Sequence, residues 1–313
     1  MPSASPSRAV LTIAAGKKVY LDLAVNLARS FRVWHADGRI KFTLVTDLAE
    51  PLPGDLAFVE VVRVTSEELG HGFTSKLRLD RYAPAEQTLF IDADCLCAGS
   101  LDAVFERFRG LAVSVVGTEE SSGHWCGEIE DRCRHFGLPA IPVFNGGIYY
   151  LERGSKSAEV YDYARALEKD YDNLNLYRLR DLPNEEPLVS LAMARFGCRP
   201  VPQDGTIKID AMDWQGVSLD VLAGQACVRM EDDKLWYPRI LHFNYSFTER
   251  PEYRRAELAL NLFCQRGFPR VLAGWTARVV MVPFFATQWF RTNFRGVFHT
   301  LAGPRRVRKF SRA

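Results

Sequence analysis

The chain has 313 residues, 47% of them hydrophobic and 25% charged, the balance of a soluble globular protein rather than a disordered or fibrous one. No apolar run approaches the roughly 20 residues of a membrane-spanning helix, which excludes a polytopic membrane protein. The net charge of +2 hides an asymmetry: ten Lys/Arg and no Asp/Glu lie in 265–313, leaving 30 basic against 38 acidic residues, a charge of −8, in 1–264. The seven cysteines are scattered, with no Cys-x-x-Cys pair or zinc spacing, which predicts a reducing, cytoplasmic setting. Residues 1–8 are polar and Ser/Pro-rich, predicted disordered, and lack a signal-peptide pattern.

Ala9–Ala15 is a predicted buried strand ended by Gly16. Leu21, Leu23, Ala24, Leu27 and Ala28 then fall at helical spacing over Val19–Phe31. Lys41–Asp47 and Phe58–Val64 are further strands, and the alternation implies a mostly parallel α/β sheet. Thr74–Tyr82 reads as an amphipathic helix. Its Lys76 and Arg78 either face solvent or place a cation near a phosphate.

In Thr88–Leu96 a doubly buried strand, Leu89-Phe90-Ile91, runs into Asp92-Ala93-Asp94. Residues two apart in a strand point to one side. Both carboxylates can therefore reach one point beyond the strand end, where open α/β sheets bind ligands. A divalent cation resolves their repulsion; the alternative is a turn cap and a helix cap with no metal.

Ser100–Phe108 opens with a Ser N-cap and predicts a helix; Leu111–Gly117 predicts a strand. Glu119–Pro142 is read as an irregular, variable loop over the site. Its His124, Cys126, Cys133 and His135 are ligand types without a zinc spacing. In Val143–Leu151, Asn145-Gly146-Gly147 enters a β-type run. The glycines allow close backbone approach to a ligand, or form a hairpin turn. Ser155–Tyr171 is a predicted helix. Another, Pro187–Phe196, has Pro187 in its first turn. Glu185 and Glu186 sit at its N-terminus, where they complement the helix dipole or face the crevice. Tyr237–Phe243 is a late strand ending at His242, either a packed structural residue or a strand-end ligand.

Four elements in this order, Asp92-Ala-Asp94, Phe144-Asn-Gly-Gly147, Asn184-Glu-Glu-Pro187 and His242-Phe243, resemble the GT-A glycosyltransferases. Among them they resemble family 8, the glycogenin and lipopolysaccharide galactosyltransferase group. The resemblance spans roughly residues 9–250. It implies a Rossmann-like, mostly parallel mixed sheet flanked by helices, with a catalytic domain over 9–264. It implies retaining transfer of a hexose from a nucleotide-diphosphate sugar, UDP-linked foremost, to a glycan or lipid-linked acceptor, as in lipopolysaccharide or capsule synthesis.

On that resemblance Asp92, Asp94 and His242 hold Mn²⁺ or Mg²⁺. Lys76 contacts the donor, Ala14 and Ala93 lie along the nucleotide, Tyr20 either stacks on its base or packs against the protein, and Asn145, Gly146 and Gly147 approach the sugar. Glu185 and Glu186 stand where the family has Asp-Gln beside the anomeric carbon. Either is a candidate nucleophile or oxocarbenium stabiliser. The family's Gly and diphosphate-binding Lys after the histidine are missing, with Arg250 as the candidate substitute. Gly16-Lys17-Lys18 replaces an expected acidic residue. These departures imply a divergent member.

The segment 265–313 interleaves its cations with Trp275, Phe284, Phe285, Trp289, Phe290, Phe294, Phe298 and Phe310. That pattern predicts peripheral docking on an anionic membrane, at its inner face. The alternatives are a helix packed on the catalytic domain or nucleic-acid binding, for which no motif is present. Two other functions compete. One is a haloacid-dehalogenase-type phosphatase using Asp92 and Asp94, with Glu231-Asp232-Asp233 as its acidic motif. The other is a non-catalytic sugar-nucleotide-binding module.

Overall fold

A computed structural model describes residues 7–293, with side chains as far as 287. The residues predicted disordered before 7, the tail after 293, and the side chains of Trp289 and Phe290 lie outside the described residues.

The chain opens with β1 (Arg8–Ile13), α1 (Lys18–Trp34), β2 (Ile40–Thr46) and β3 (Val59–Arg63), close to the predicted spans. A short α2 (Ser66–Leu69) follows, closed by a capping box between Thr65 and Glu68. The predicted single helix over 74–82 is instead a 3₁₀ turn, Gly72–Arg78, running into α3 (Leu79–Tyr82). Hydroxyls of Thr74 and Ser75 bond back to the carbonyls of His71 and Gly72, which competes with α-helical pairing. Pro84 then holds Ala83 extended and ends the element.

Next come β4 (Gln87–Ile91), β5 (Cys95–Cys97) and α4 (Asp102–Phe108). Ser100 accepts the Asp102 N–H (3.2 Å), so the predicted cap acts, two residues ahead of the helix. The predicted strand 111–117 is split. β6 (Val113–Ser114) pairs with β9 (Ile148–Glu152), whereas β7 (Val116–Glu120) joins β8 (Ile141–Phe144) and β10 (Val201–Pro202) in a second sheet. The region predicted irregular contains α5 (Ile129–Phe136), ended by Gly137 in the left-handed conformation (φ 62°).

After β9 come α6 (Ser155–Glu168) and α7 (Glu185–Arg195). β11 (Lys208–Asp210), β12 (Trp214–Asp220), β13 (Gln225–Met230), β14 (Leu235–Trp236) and β15 (Ile240–His242) follow. α8 (Pro251–Leu260), a π turn at Asn261–Gln265 and α9 (Arg270–Asn293) complete the described chain.

The central sheet has the order β3-β2-β1-β4-β9-β6. Its first four strands are parallel and the last two are antiparallel to their neighbours. Alternate residues feed opposite faces. Val10, Leu89 and Ile91 pack with Leu27, Ala28 and Phe31 of α1, while Leu11 and Phe90 pack with Tyr161 of α6 and Leu188 and Leu191 of α7. Burial on both faces explains the apolar run of β4, and the sheet's helix-covered faces leave the strand ends as the free crevice. β11 and β5 flank β15 in a separate small sheet, and β12, β13 and β14 form a meander.

Candidate active site

All five residues of β4 are buried, and Asp92 begins where that run stops. Its backbone N–H donates to the carbonyl of Gly147 (3.0 Å), tying the end of β4 to the start of β9. Asp94 accepts the Phe243 N–H on its carbonyl (3.1 Å) and the Tyr245 N–H on its carboxylate. β5 and β15 pair antiparallel with His242 opposite Cys95. His242 Nε2 thereby lies 3.2 Å from Asp94 Oδ1 and 3.8 Å from Asp92 Oδ2.

Burial opposes charge on His242, but Asp94 and Asp210 outweigh it and raise its pKa to about 10. Against its own burial, Asp94 is held below the usual carboxylate range by His242. Burial pushes Asp92 up. Two carboxylate groups and an imidazole form an oxygen–nitrogen donor set that fits Mn²⁺ or Mg²⁺. The Cys95 thiol lies with Asp94 and His242 in a three-residue cluster of possible donors, and burial raises its pKa well above the ordinary value. Among the described residues His124, Cys126, Cys133 and His135 form no such cluster.

The 3₁₀ turn delivers Lys76. Its Nζ donates to Asp92 Oδ2 (2.8 Å) and the Gly146 carbonyl (2.9 Å), and lies 3.2 Å from Glu185 Oε1. Burial disfavours its charge, but Asp92 and Glu185 outweigh that and raise its pKa. Asn184 caps α7 by accepting the Glu186 N–H (3.2 Å). The helix therefore starts at Glu185, two residues before the predicted Pro187. Glu186 Oε1 accepts the Gly146 N–H (2.6 Å), and the Tyr149 hydroxyl donates to Glu185 Oε1 (3.3 Å). Glu185 Oε2 is buried without a partner. Burial pushes Glu185 up to about 7, and also raises Glu186.

The glycines are required by space. A Cβ on Gly146 would stand 2.9 Å from Glu185 Oε1, and one on Gly147 only 2.5 Å from His242 Nδ1. The turn is not a hairpin, because β8 pairs with β7 while β9 pairs with β4 and β6.

No protein-family model matches the sequence, nor does any curated protein. Solved structures do match. An active-site mutant of LgtC aligns with a TM-score of 0.52 at 13% identity, over 75% of this chain and 86% of that one. The galactosyltransferase LgtC in complex with donor and acceptor sugar analogues aligns with a TM-score of 0.50 at 13% identity, over the same 75% and 86%. The fold is GT-A.

Within this GT-A fold the crevice is bounded by the ends of β4 and β15, the start of β9 and the N-terminus of α7. It brings together Lys76, Asp92, Asp94, Asn145, Gly146, Gly147, Glu185, Glu186 and His242. Ala14, at the end of β1, is buried in one apolar cluster with Ala93. Tyr20 tilts against Tyr245, ring centroids 5.7 Å apart. Arg250 lies over Phe247 (4.3 Å) and Trp214 (5.4 Å), in contact with neither aspartate of the pair.

Sequence reasoning missed a second layer. Asp210 Oδ1 lies 2.6 Å from His242 Nδ1, and Lys208 Nζ donates to Asp210 Oδ2 (2.6 Å). Lys208 also reaches Asn145 Oδ1 (3.3 Å). The only available signal was Lys-Ile-Asp at period two, which ordinarily marks a solvent-facing strand edge.

Proposed function

We propose that this GT-A chain is a metal-dependent glycosyltransferase. It moves a sugar, with retention, from a nucleotide-diphosphate donor (UDP-sugars foremost) to a glycan or lipid-linked acceptor. The observation that carries the reading is the convergence of Asp94 and Asp92 on His242 Nε2, at 3.2 and 3.8 Å, beside the pair Glu185 and Glu186. The sugar analogues named with LgtC support a donor and an acceptor of this class.

Asp92, Asp94 and His242 would hold a divalent cation, which would supply Lewis-acid stabilisation of charge on a departing diphosphate. Lys76 adds a fixed positive charge at the same edge. Glu186, held by the Gly146 N–H and partly open to the crevice, serves as nucleophile or stabilises the oxocarbenium-like state. Glu185, 1% exposed, sits behind it and holds Lys76 and Tyr149. The phosphatase reading is weaker. Glu231, Asp232 and Asp233 lie in the exposed turn between β13 and β14, where Asp232 pairs with Lys234.

The proposal extends to an anionic membrane face. α9 docks on α8 through its small residues, with Ala273 and Ala277 fully buried. Val271 (85% exposed), Leu272, Trp275 (62%), Val279 and Val282 form an outward stripe over about a third of its circumference. No described helix is long and apolar enough to cross a membrane. A helix lying in the lipid interface, beside a segment without acids, fits both facts.

The deciding experiment measures slow hydrolysis across a panel of nucleotide sugars, with and without Mn²⁺. Turnover should need the metal and vanish in Asp94→Asn. Metal-independent turnover, or phosphate release from a simple phosphomonoester, would defeat the proposal. For the membrane, vesicles containing phosphatidylserine should retain the wild-type chain and release a Trp275→Glu/Val279→Glu variant; equal retention refutes docking.

A further inference from the structure

We infer that Lys208 and Asp210 are positioning residues, which hold His242 as an Nε2 ligand and lock it to the Asn145–Gly147 turn. The inference rests on the reading of Asp92, Asp94 and His242 as a cation site.

An imidazole offers two nitrogens, and the partner of one decides what the other can do. His242 Nδ1 faces the carboxylate of Asp210 at 2.6 Å. A carboxylate only accepts, so Nδ1 carries the proton there, and Nε2 is the nitrogen turned to Asp94. The backbone fixes the ring's origin as well: the Ala211 N–H donates to the His242 carbonyl (2.8 Å) and to Asn244 Oδ1 (3.1 Å). Asp210 is 5% exposed and Lys208 1%, so the anion is neutralised inside the protein by the Nζ on its second oxygen.

Lys208 has a further role. Its Nζ lies 3.3 Å from Asn145 Oδ1 and 3.4 Å from the Asn145 carbonyl. Asn145 Oδ1 in turn accepts the Gly147 N–H (3.1 Å), and Gly147 packs directly on the ring. One lysine thus joins the histidine's carboxylate to the turn in front of Glu185 and Glu186. A buried ion pair is weak evidence for stability, since apolar residues of similar volume are often as good or better. The precise aim of this pair on the ring that faces two aspartates points instead to orientation of a ligand.

The test is direct Mn²⁺ binding by the full-length chain, followed by the electron paramagnetic resonance signal of free Mn²⁺, with folding checked by circular dichroism. Asp210→Ala should raise the Mn²⁺ Kd by about 10–100-fold, the range for such outer partners of a ligating histidine. If that variant fails to fold, Lys208→Met/Asp210→Leu replaces both charges with apolar volume and should show the same rise. Lys208→Met/Asp210→Asn keeps an acceptor for Nδ1–H and should recover most of the affinity, a rescue that a merely structural role does not predict. Wild-type affinity in a folded Asp210→Ala or Lys208→Met/Asp210→Leu chain overturns this inference alone. A wild-type chain that holds no Mn²⁺ overturns it together with the cation site.

Discussion

Lys76 binds Asp92 directly and Lys208 reaches the same crevice through Asn145 and Asp210, and the surroundings of the two lysines differ. Lys76 is shared between two acids and a carbonyl, its side chain keeps 13% exposure, and one oxygen of its partner Glu185 has no hydrogen bond. Lys208 has 1% exposure, and Asp210 spends both oxygens, one on the lysine and one on His242. The front network leaves one carboxylate oxygen, Glu185 Oε2, without a partner. The rear network is closed and can only hold things still. Charge burial in one protein thus serves two ends, and the count of unsatisfied atoms separates them.

Removing each lysine alone separates the two networks. Lys208→Met strands Asp210 inside the protein and should cost about 3–5 kcal/mol of stability, the usual penalty for breaking a buried pair. Urea denaturation measures it, and a loss no larger than that of Lys76→Met would erase the distinction. Gly147→Ala comes next. Its Cβ would stand 2.5 Å from His242 Nδ1, so the ring must shift, and a displacement of about 1 Å at a reacting centre is worth roughly 100-fold in kcat/KM. Lys76→Met should lower kcat/KM by roughly 10–100-fold while leaving Mn²⁺ affinity nearly unchanged, because it removes one charge stabiliser and no ligand.

The smallest effect sharpens the contrast through pH. Burial raises Glu185 from its ordinary 4.5 to about 7 in the folded chain. The folded state therefore holds a proton that the unfolded chain releases. Its contribution to stability is complete below pH 4.5 and is lost as pH rises through 7. Between pH 5 and 8 the Tm of the wild type should fall by a few degrees more than that of Glu185→Gln. Parallel curves would place the carboxyl in contact with solvent.

Much of the front network was legible because its residues close local patterns. Asp92 and Asp94 end an apolar run, Glu185 and Glu186 precede a proline suited to a first helical turn, and His242 ends a strand. Lys208 and Asp210 were not. Their alternation with Ile209 follows the rule for a strand with one wet face, yet both are buried, against Asn145 and His242. β12 and β13 are hidden for another reason: exposed Gln215, Ser218, Gln225 and Arg229 interrupt their short apolar runs. The strand predicted over 111–117 failed because pairing partners, not propensity, divide it at Val115. In the region taken as irregular, Ile129, Cys133 and Phe136 do fall at helical spacing, but a helix of eight residues carries only these three, a short signal among polar neighbours.

The ladder between β5 and β15 has three rungs: Ile240 opposite Cys97, Leu241 opposite Leu96 and His242 opposite Cys95. A slip of one rung would send the imidazole to the other side of the ribbon and bring Leu241 or Phe243 to the carboxylates. Both of those neighbours are wholly enclosed in hydrocarbon, so the slipped alignment would drag an aliphatic or aromatic group toward charge and a ring nitrogen into oil. Greasy residues on either side of the histidine therefore act as its ruler, fixing across nearly 150 residues of sequence which atom arrives at the mouth of the crevice.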